Sequence, residues 1–358
     1  MSASPSTAGR SGLPSVLIID DSAVVRGLVS RWIEADSRLQ VAATCSDGEV
    51  GVRKAAELQP DIVVLDIEMP RMDGLTALPQ ILKACPKAKV VMASTLTLKG
   101  GEITMRALSL GAADYAPKPE AGRVAGAEAY RKELLDKLVA LSPRPAGVPP
   151  RPVAVKPAIP RPVAPARRPS LIAIGSSTGG PQALRDVIGA LPRDTNVPIV
   201  ITQHMPKLFT AILAEHLSKL GMPAAEAKEG EPLRPGRIYL APGDFHMTLK
   251  STNGVLSAHL DQSPPVNFCR PAVDPLFNSC AKVVGNGVLA VVLTGMGHDG
   301  RDGARTVRDA GGQVIVQDQA SSVVWGMPGA IAEAGLADQI LSLKDIGPEL
   351  TRRLKGPL

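Results

Sequence analysis

Leu171-Ile172-Ala173-Ile174-Gly175-Ser176-Ser177-Thr178-Gly179-Gly180-Pro181 carries three structural signals in eleven residues. The apolar run, rich in isoleucine, reads as a buried strand. The small residues after it permit a sharp turn, and Pro181 suits the first turn of a helix. Strand, tight turn and helix open a unit whose next strand lies parallel.

The pattern continues in both directions. Downstream, 199–202, 288–294 and 314–317 are apolar runs, each leading towards a helical period. Between them, 246–250 and 255–260 flank Asn253-Gly254, a strong hairpin signal. Residues 170–358 therefore read as a doubly wound α/β domain with a β-hairpin insertion. Upstream, strand candidates fall at 16–20, 39–44, 62–66, 90–94 and 114–116. Amphipathic stretches separate them at 24–35, 49–58, 75–85 and 103–110, with 127–141 last. Five strand–helix units in that span predict a flavodoxin-like, five-stranded parallel sheet over 15–141. Residues 1–12 are polar and small, and 1–14 are expected to be disordered.

Residues 142–169 separate the two domains. They hold ten of the 33 prolines, five arginines, one lysine and no acid. Such a segment favours extended polyproline II and acts as a semi-rigid linker. Its location also explains the net charge of +6. Residues 1–141 and 170–358 each carry 17 basic and 17 acidic side chains, so the whole excess lies in the linker. A nucleic-acid-binding face would show the excess on a folded domain, so nucleic acid is not an expected partner. Aromatic residues, at 3%, are too few for a base-stacking surface. No apolar run approaches ~18 residues, so neither membrane insertion nor a standard secretion signal is expected. Cys45, Cys85, Cys269 and Cys280 form no C-x-x-C pair and read as buried, reduced thiols.

Three acids stand at strand ends of the first domain: Asp20 and Asp21 after the first strand, Asp66 after the third. Strand carboxyl ends of a doubly wound sheet line one crevice, so the acids converge there. Clustered carboxylates need a cation, and hard oxygen ligands of this kind suit Mg²⁺. Two further strand ends contribute Ser94 and Lys118, which complete a receptacle for a phosphoryl group on Asp66. A lone aspartate after a strand is more often a helix N-cap; the full constellation is far more specific. Together with Ile67-Glu68-Met69-Pro70, Asp73-Gly74 and Pro119 it resembles the receiver domains of two-component response regulators. The resemblance implies that Asp66 accepts a phosphoryl group from a histidine kinase. It also implies that Asp20, Asp21 and Asp66 hold Mg²⁺ while Ser94 and Lys118 touch the phosphoryl oxygens.

In the second domain, Gly175-x-Ser177-x-Gly179 has nucleophile-elbow spacing, which favours Ser177 over Ser176. A glycine-rich loop opening a helix is equally a phosphate cradle. The other strand ends break the tie. His204 follows the second strand, and Asp299 lies in Thr294-Gly295-Met296-Gly297-His298-Asp299-Gly300 after a later one. Serine, histidine and aspartate on one rim of one sheet suit acyl hydrolysis: Ser177 attacks, His204 shuttles the proton, and Asp299 orients the imidazole. His298 is an alternative base, His246 is expected to line the cleft, and Asp299 could simply cap a helix.

These segments, with Leu240-Ala241-Pro242-Gly243-Asp244, Pro264-Pro265-Val266-Asn267, Arg270-Pro271 and Ser321 to Pro328, resemble the CheB-type chemotaxis methylesterases. The resemblance implies a phosphorylation-activated hydrolase that demethylates glutamate methyl esters on chemotaxis receptors and deamidates certain receptor glutamines. It implies the Met296 amide as an oxyanion donor, no cofactor for the esterase reaction, and inhibition by the unphosphorylated receiver. A cytoplasmic protein meeting its substrate at membrane receptor arrays follows from the same resemblance.

Overall fold

The computed structural model describes residues 12–95, 97–118, 124–143 and 168–355. Most of the expected N-terminal tail and of the proline-rich linker lies outside the described residues. The chain divides into two compact units.

Over residues 15–141, β1 (Ser15–Ile19), α1 (Ala23–Glu34), β2 (Gln40–Cys45), α2 (Gly48–Leu58), β3 (Ile62–Asp66), α3 (Gly74–Ala84), β4 (Lys89–Thr95), α4 (Leu98–Ser109), β5 (Asp114–Lys118) and α5 (Val124–Leu141) follow one another along the chain. The strands are parallel in the order β2-β1-β3-β4-β5, the expected flavodoxin-like arrangement. All five residues of β3 are buried, which is why the strand is a continuous apolar run closed by one acid. α1, α2 and α3 begin on their own caps: Ser22 accepts from the Val25 amide, Asp47 from Val50 and Asp73 from Thr76. Asp20 and Asp21 are therefore not needed for capping. Gly74 permits the close turn after β3, since a Cβ there would lie 2.0 Å from the Asp66 carbonyl oxygen.

The second unit runs β6 (Leu171–Ser176), α6 (Gly180–Gly189), β7 (Ile199–Gln203), α7 (Phe209–Ser218), β8 (Ala224–Glu226), β9 (Ile238–Leu240), β10 (His246–Thr252), β11 (Val255–Asp261), α8 (Val273–Val284), β12 (Val288–Val292), α9 (Arg301–Asp309), β13 (Gln313–Gln317), α10 (Met327–Glu333), β14 (Gln339–Leu341) and α11 (Leu343–Lys355). Seven strands form a parallel sheet in the order β14-β13-β12-β6-β7-β9-β8. The chain moves from β6 to β7 on one side and later returns to β12 on the other. β6 thus lies at the topological switch point, where open α/β sheets bind ligands. The hairpin is present as β10–β11, turning through Asn253 and Gly254 at φ 52° and 80°. Apolar residues of α8, among them Val273, Leu276 and Phe277, are buried against β6, β7 and β12. Burial of each such side chain contributes about 1.5–3 kcal/mol, which fixes the start of α8 beside the strand ends. β8, β9 and β14 were not expected; three residues are too few to show a period. No described helix is long and apolar enough to cross a membrane.

Candidate functional site

The first unit gathers its acids at the end of the sheet. Lys118 Nζ lies 2.7 Å from both Asp20 Oδ2 and Asp66 Oδ1. Carboxylate oxygens of Asp20, Asp21 and Asp66 fall within 4.8 Å of one another, with Asp21 exposed and the other two buried. Burial pushes the Asp66 carboxyl up to about 6, against the opposing pull of Lys118. The donor set of three hard carboxylates, one open to solvent, fits a Mg²⁺ ion. Ser94 is buried one residue beyond Ala93, the register partner of Asp66.

The second unit brings its three residues to the ends of β6, β7 and β12, neighbours in the sheet. Ser176 is fully buried and its hydroxyl donates to Gln203 Oε1 at 2.7 Å. Ser177, half-buried, makes no side-chain hydrogen bond among the described residues. Gln203 Nε2 in turn donates to the carbonyls of Ser177 and His204, at 2.9 and 3.2 Å, and ties the two loops together. Gly179 follows at φ 76°, a left-handed turn into α6 where a Cβ would meet Val323.

His204 Nε2 donates to Asp299 Oδ2 at 2.7 Å. Asp299 is 2% exposed and its carboxylate accepts four further hydrogen bonds. These come from the amides of Val273, Asp274 and Gly300 and from Asn267 Nδ2. Val273 and Asp274 open α8, whose N-cap Ala272 supplies no side-chain hydrogen bond. Asp299 therefore does serve a helix start, although of α8 and not of the helix that follows it. Burial alone would raise the Asp299 carboxyl, but the bonds from His204, Val273 and Asn267 outweigh it and hold it at about 2. Asn267 Nδ2 also donates to Asp274 Oδ2, so one amide bridges two buried carboxylates. Asp274 is raised to about 6, chiefly by burial.

The other imidazole nitrogen, Nδ1, lies 3.4 Å from Cys269 Sγ. Cys269 is half-buried and reaches the imidazole, unlike the buried thiol the sequence suggested; Cys45, Cys85 and Cys280 are buried as expected. Burial opposes charge on His204, but Cys269 and Asp299 more than offset it and lift the imidazole to about 10.

Met296 stands on a loop clamped from the other side. The amides of Gly326 and Met327 donate to the Gly295 carbonyl, and the Gly295 amide to Val324. A Cβ on Gly295 would lie 2.9 Å from Ser177 Cβ, so the loop passes directly beside the serine. Among the described residues the Met296 amide donates no hydrogen bond. His298 is exposed. His246 does not line a cleft: it is fully buried, with Nε2 donating to the Pro264 carbonyl and Nδ1 accepting from the Ala272 amide. Asn267 and Cys269 carried no role from the sequence.

Residues 172–350 match the CheB methylesterase family and residues 16–125 the response regulator receiver domain. The chain is 55% identical to the protein-glutamate methylesterase/protein-glutamine glutaminase of Maricaulis maris, covering 98% of both chains. It is 51% identical to a protein of the same name, numbered 2, from Caulobacter vibrioides, covering 95% of this chain and 99% of that one. The crystal structure of the Thermotoga maritima CheB methylesterase catalytic domain superposes with a TM-score of 0.50 at 43% identity, covering 51% of this chain and 97% of that one.

Proposed function

Because the chain belongs to the CheB methylesterase family, with a receiver domain ahead of the catalytic one, we propose that it is a phosphorylation-activated protein-glutamate methylesterase and protein-glutamine glutaminase. It hydrolyses glutamate γ-methyl esters on methyl-accepting chemotaxis receptors and deamidates receptor glutamines. It works in the cytoplasm, where its kinase and the receptor tails meet it.

Ser177 Oγ attacks the ester carbonyl while His204 takes its proton, and Asp299 stabilises the resulting imidazolium. The amide of Met296 donates to the oxyanion of the tetrahedral intermediate. Collapse expels methanol, which leaves with the proton from His204. Water, deprotonated by His204, then attacks the acyl-serine; glutamate is released and the proton returns to Ser177. For a glutamine substrate the leaving group is ammonia. The observation that carries this reading is the buried 2.7 Å His204–Asp299 pair at the strand ends beside a Ser177 whose hydroxyl is uncommitted among the described residues.

In the receiver, an Asp66 oxygen bonds to phosphorus as the P–N bond of the kinase phosphohistidine breaks. Asp20, Asp21 and Asp66 would hold Mg²⁺, which when bound neutralises charge on the phosphoryl oxygens. Lys118 contributes a second positive charge at the same place, and Ser94 a hydroxyl. The test is methanol release from methylated receptor, measured with and without a small phosphodonor. Absence of methanol under both conditions would overturn the reading.

A further inference from the structure

Between β11 and α8 the chain makes a tight turn, Val266-Asn267-Phe268-Cys269. Val266 and Cys269 exchange two backbone hydrogen bonds, at 3.1 and 2.9 Å. The two central residues both adopt left-handed backbone, Asn267 at φ 51° and Phe268 at φ 64°. Asparagine tolerates that region, whereas for a bulky aromatic it is a true outlier. Phe268 is 95% exposed, the only aromatic among the exposed large apolar residues described.

Both neighbours of Phe268 are anchored on the reaction machinery. Asn267 Nδ2 reaches Asp299 at 3.0 Å, and Cys269 Sγ reaches His204 at 3.4 Å. The turn is further fixed by Arg270, which donates to the carbonyls of Gln262 and Ser263 and to the carboxylate of Asp244. An exposed aromatic on a rigid support, one residue from contacts to two members of the triad, has the character of a binding hot spot.

We infer that Phe268 is a substrate-recognition residue, packing on the apolar surface of the protein substrate next to the glutamyl side chain that enters the site. The inference rests on the proposed esterase reading. A small free ester lacks that surface; a folded helical substrate presents it three or four residues from the reacting position, about 5–6 Å away. Phe268 therefore discriminates between a protein substrate and an isolated ester.

The test compares kcat/KM on methylated receptor with kcat/KM on an N-acylated glutamate γ-methyl ester, using the full-length protein with phosphodonor. Phe268→Asn keeps a residue that accepts left-handed backbone and deletes the ring. It is expected to lower the ratio of receptor to small-ester kcat/KM by about 10-fold, mainly through KM, and Phe268→Tyr to restore the ratio. Parallel loss on both substrates would make Phe268 a mere support of the turn and overturn the inference, as would a ratio unchanged in Phe268→Asn. Wild-type protein that cleaves the small ester but not the receptor would instead overturn the proposed function, and this inference with it.

Discussion

Cys269 Sγ lies 3.4 Å from His204 Nδ1, across the imidazole from Asp299. Asp299 takes Nε2, so Nδ1, on the edge that faces Cys269, is the nitrogen left to accept a proton. Only a neutral ring can take the proton of Ser177. The cysteine and the aspartate together lift the His204 pKa, so activity, which needs the deprotonated ring, rises with pH through a limb placed above the ordinary imidazole value. Cys269→Ala removes one of these two lifting groups. The acid limb of kcat/KM against pH is therefore expected to move to lower pH, with activity at neutral pH retained or increased. A limb that stays in place would mean that sulfur does not tune the base.

The two adjacent serines should separate cleanly. Ser177→Ala is expected to abolish methanol release, by about 10⁴–10⁶-fold, the usual consequence of losing a triad nucleophile. Ser176 spends its hydroxyl on Gln203 inside the protein. Ser176→Ala should keep most of the activity and lose some thermal stability, because Gln203 Oε1 is left without that donor. Single-turnover assays of both variants at equal concentration decide it; a dead Ser176→Ala enzyme with intact fold would reverse the assignment.

Asn267 offers a finer probe, because its amide bridges Asp299 and Asp274. A hydrogen bond to a charged group contributes roughly 1.5–3 kcal/mol. Asn267→Ala should lower kcat by about 10-fold or more as Asp299 loses one of its restraints. Asn267→Asp should do worse, since a third carboxylate beside two buried ones repels both. Thermal melts alongside kcat distinguish lost orientation from lost fold. Equal kcat in wild type and both variants would show that the backbone amides alone position Asp299.

The grouping of Ser177, His204 and Asp299 was legible because each directly follows a strand or lies in the loop after one, and strand ends of a parallel sheet converge. Asp20, Asp21 and Asp66 were legible for the same reason. Asn267 and Cys269 lie in a segment without period, and what aims them is a turn whose left-handed residues are Asn267 and Phe268. No glycine marks it, so nothing in the local pattern announces where its side chains point. His246 illustrates the opposite failure. Its place at the start of the hairpin suggested a cleft, but packing of β10 against α8 buries it, and its ring nitrogens are used on Pro264 and Ala272. The short β8, β9 and β14 are edge or near-edge strands defined by pairing, which composition does not encode.

Control by phosphate is the remaining consequence of carrying both sites on one chain. The acidic pocket and the triad belong to separate compact units, so Asp66 chemistry can reach Ser177 only through an equilibrium between arrangements of those units. A phosphoryl group adds about two negative charges beside Lys118 and Ser94, enough to bias such an equilibrium. The linker, rich in proline and arginine, sets the effective concentration of one unit at the other. If the unphosphorylated receiver restrains the esterase, residues 170–358 alone should hydrolyse methylated receptor without phosphodonor, at a rate above that of the full chain. That fragment corresponds to nearly the whole of the Thermotoga maritima catalytic domain, crystallised by itself. Asp66→Asn should hold the full-length protein at its low basal rate whatever phosphodonor is supplied. Chelation of divalent cations should do the same to the wild type, since Asp66 then lacks its partner ion. Methanol release from fragment, wild type and Asp66→Asn at equal concentration makes the comparison. Equal basal rates for fragment and full chain would remove inhibition from the receiver's role and leave it to deliver the esterase to its substrate.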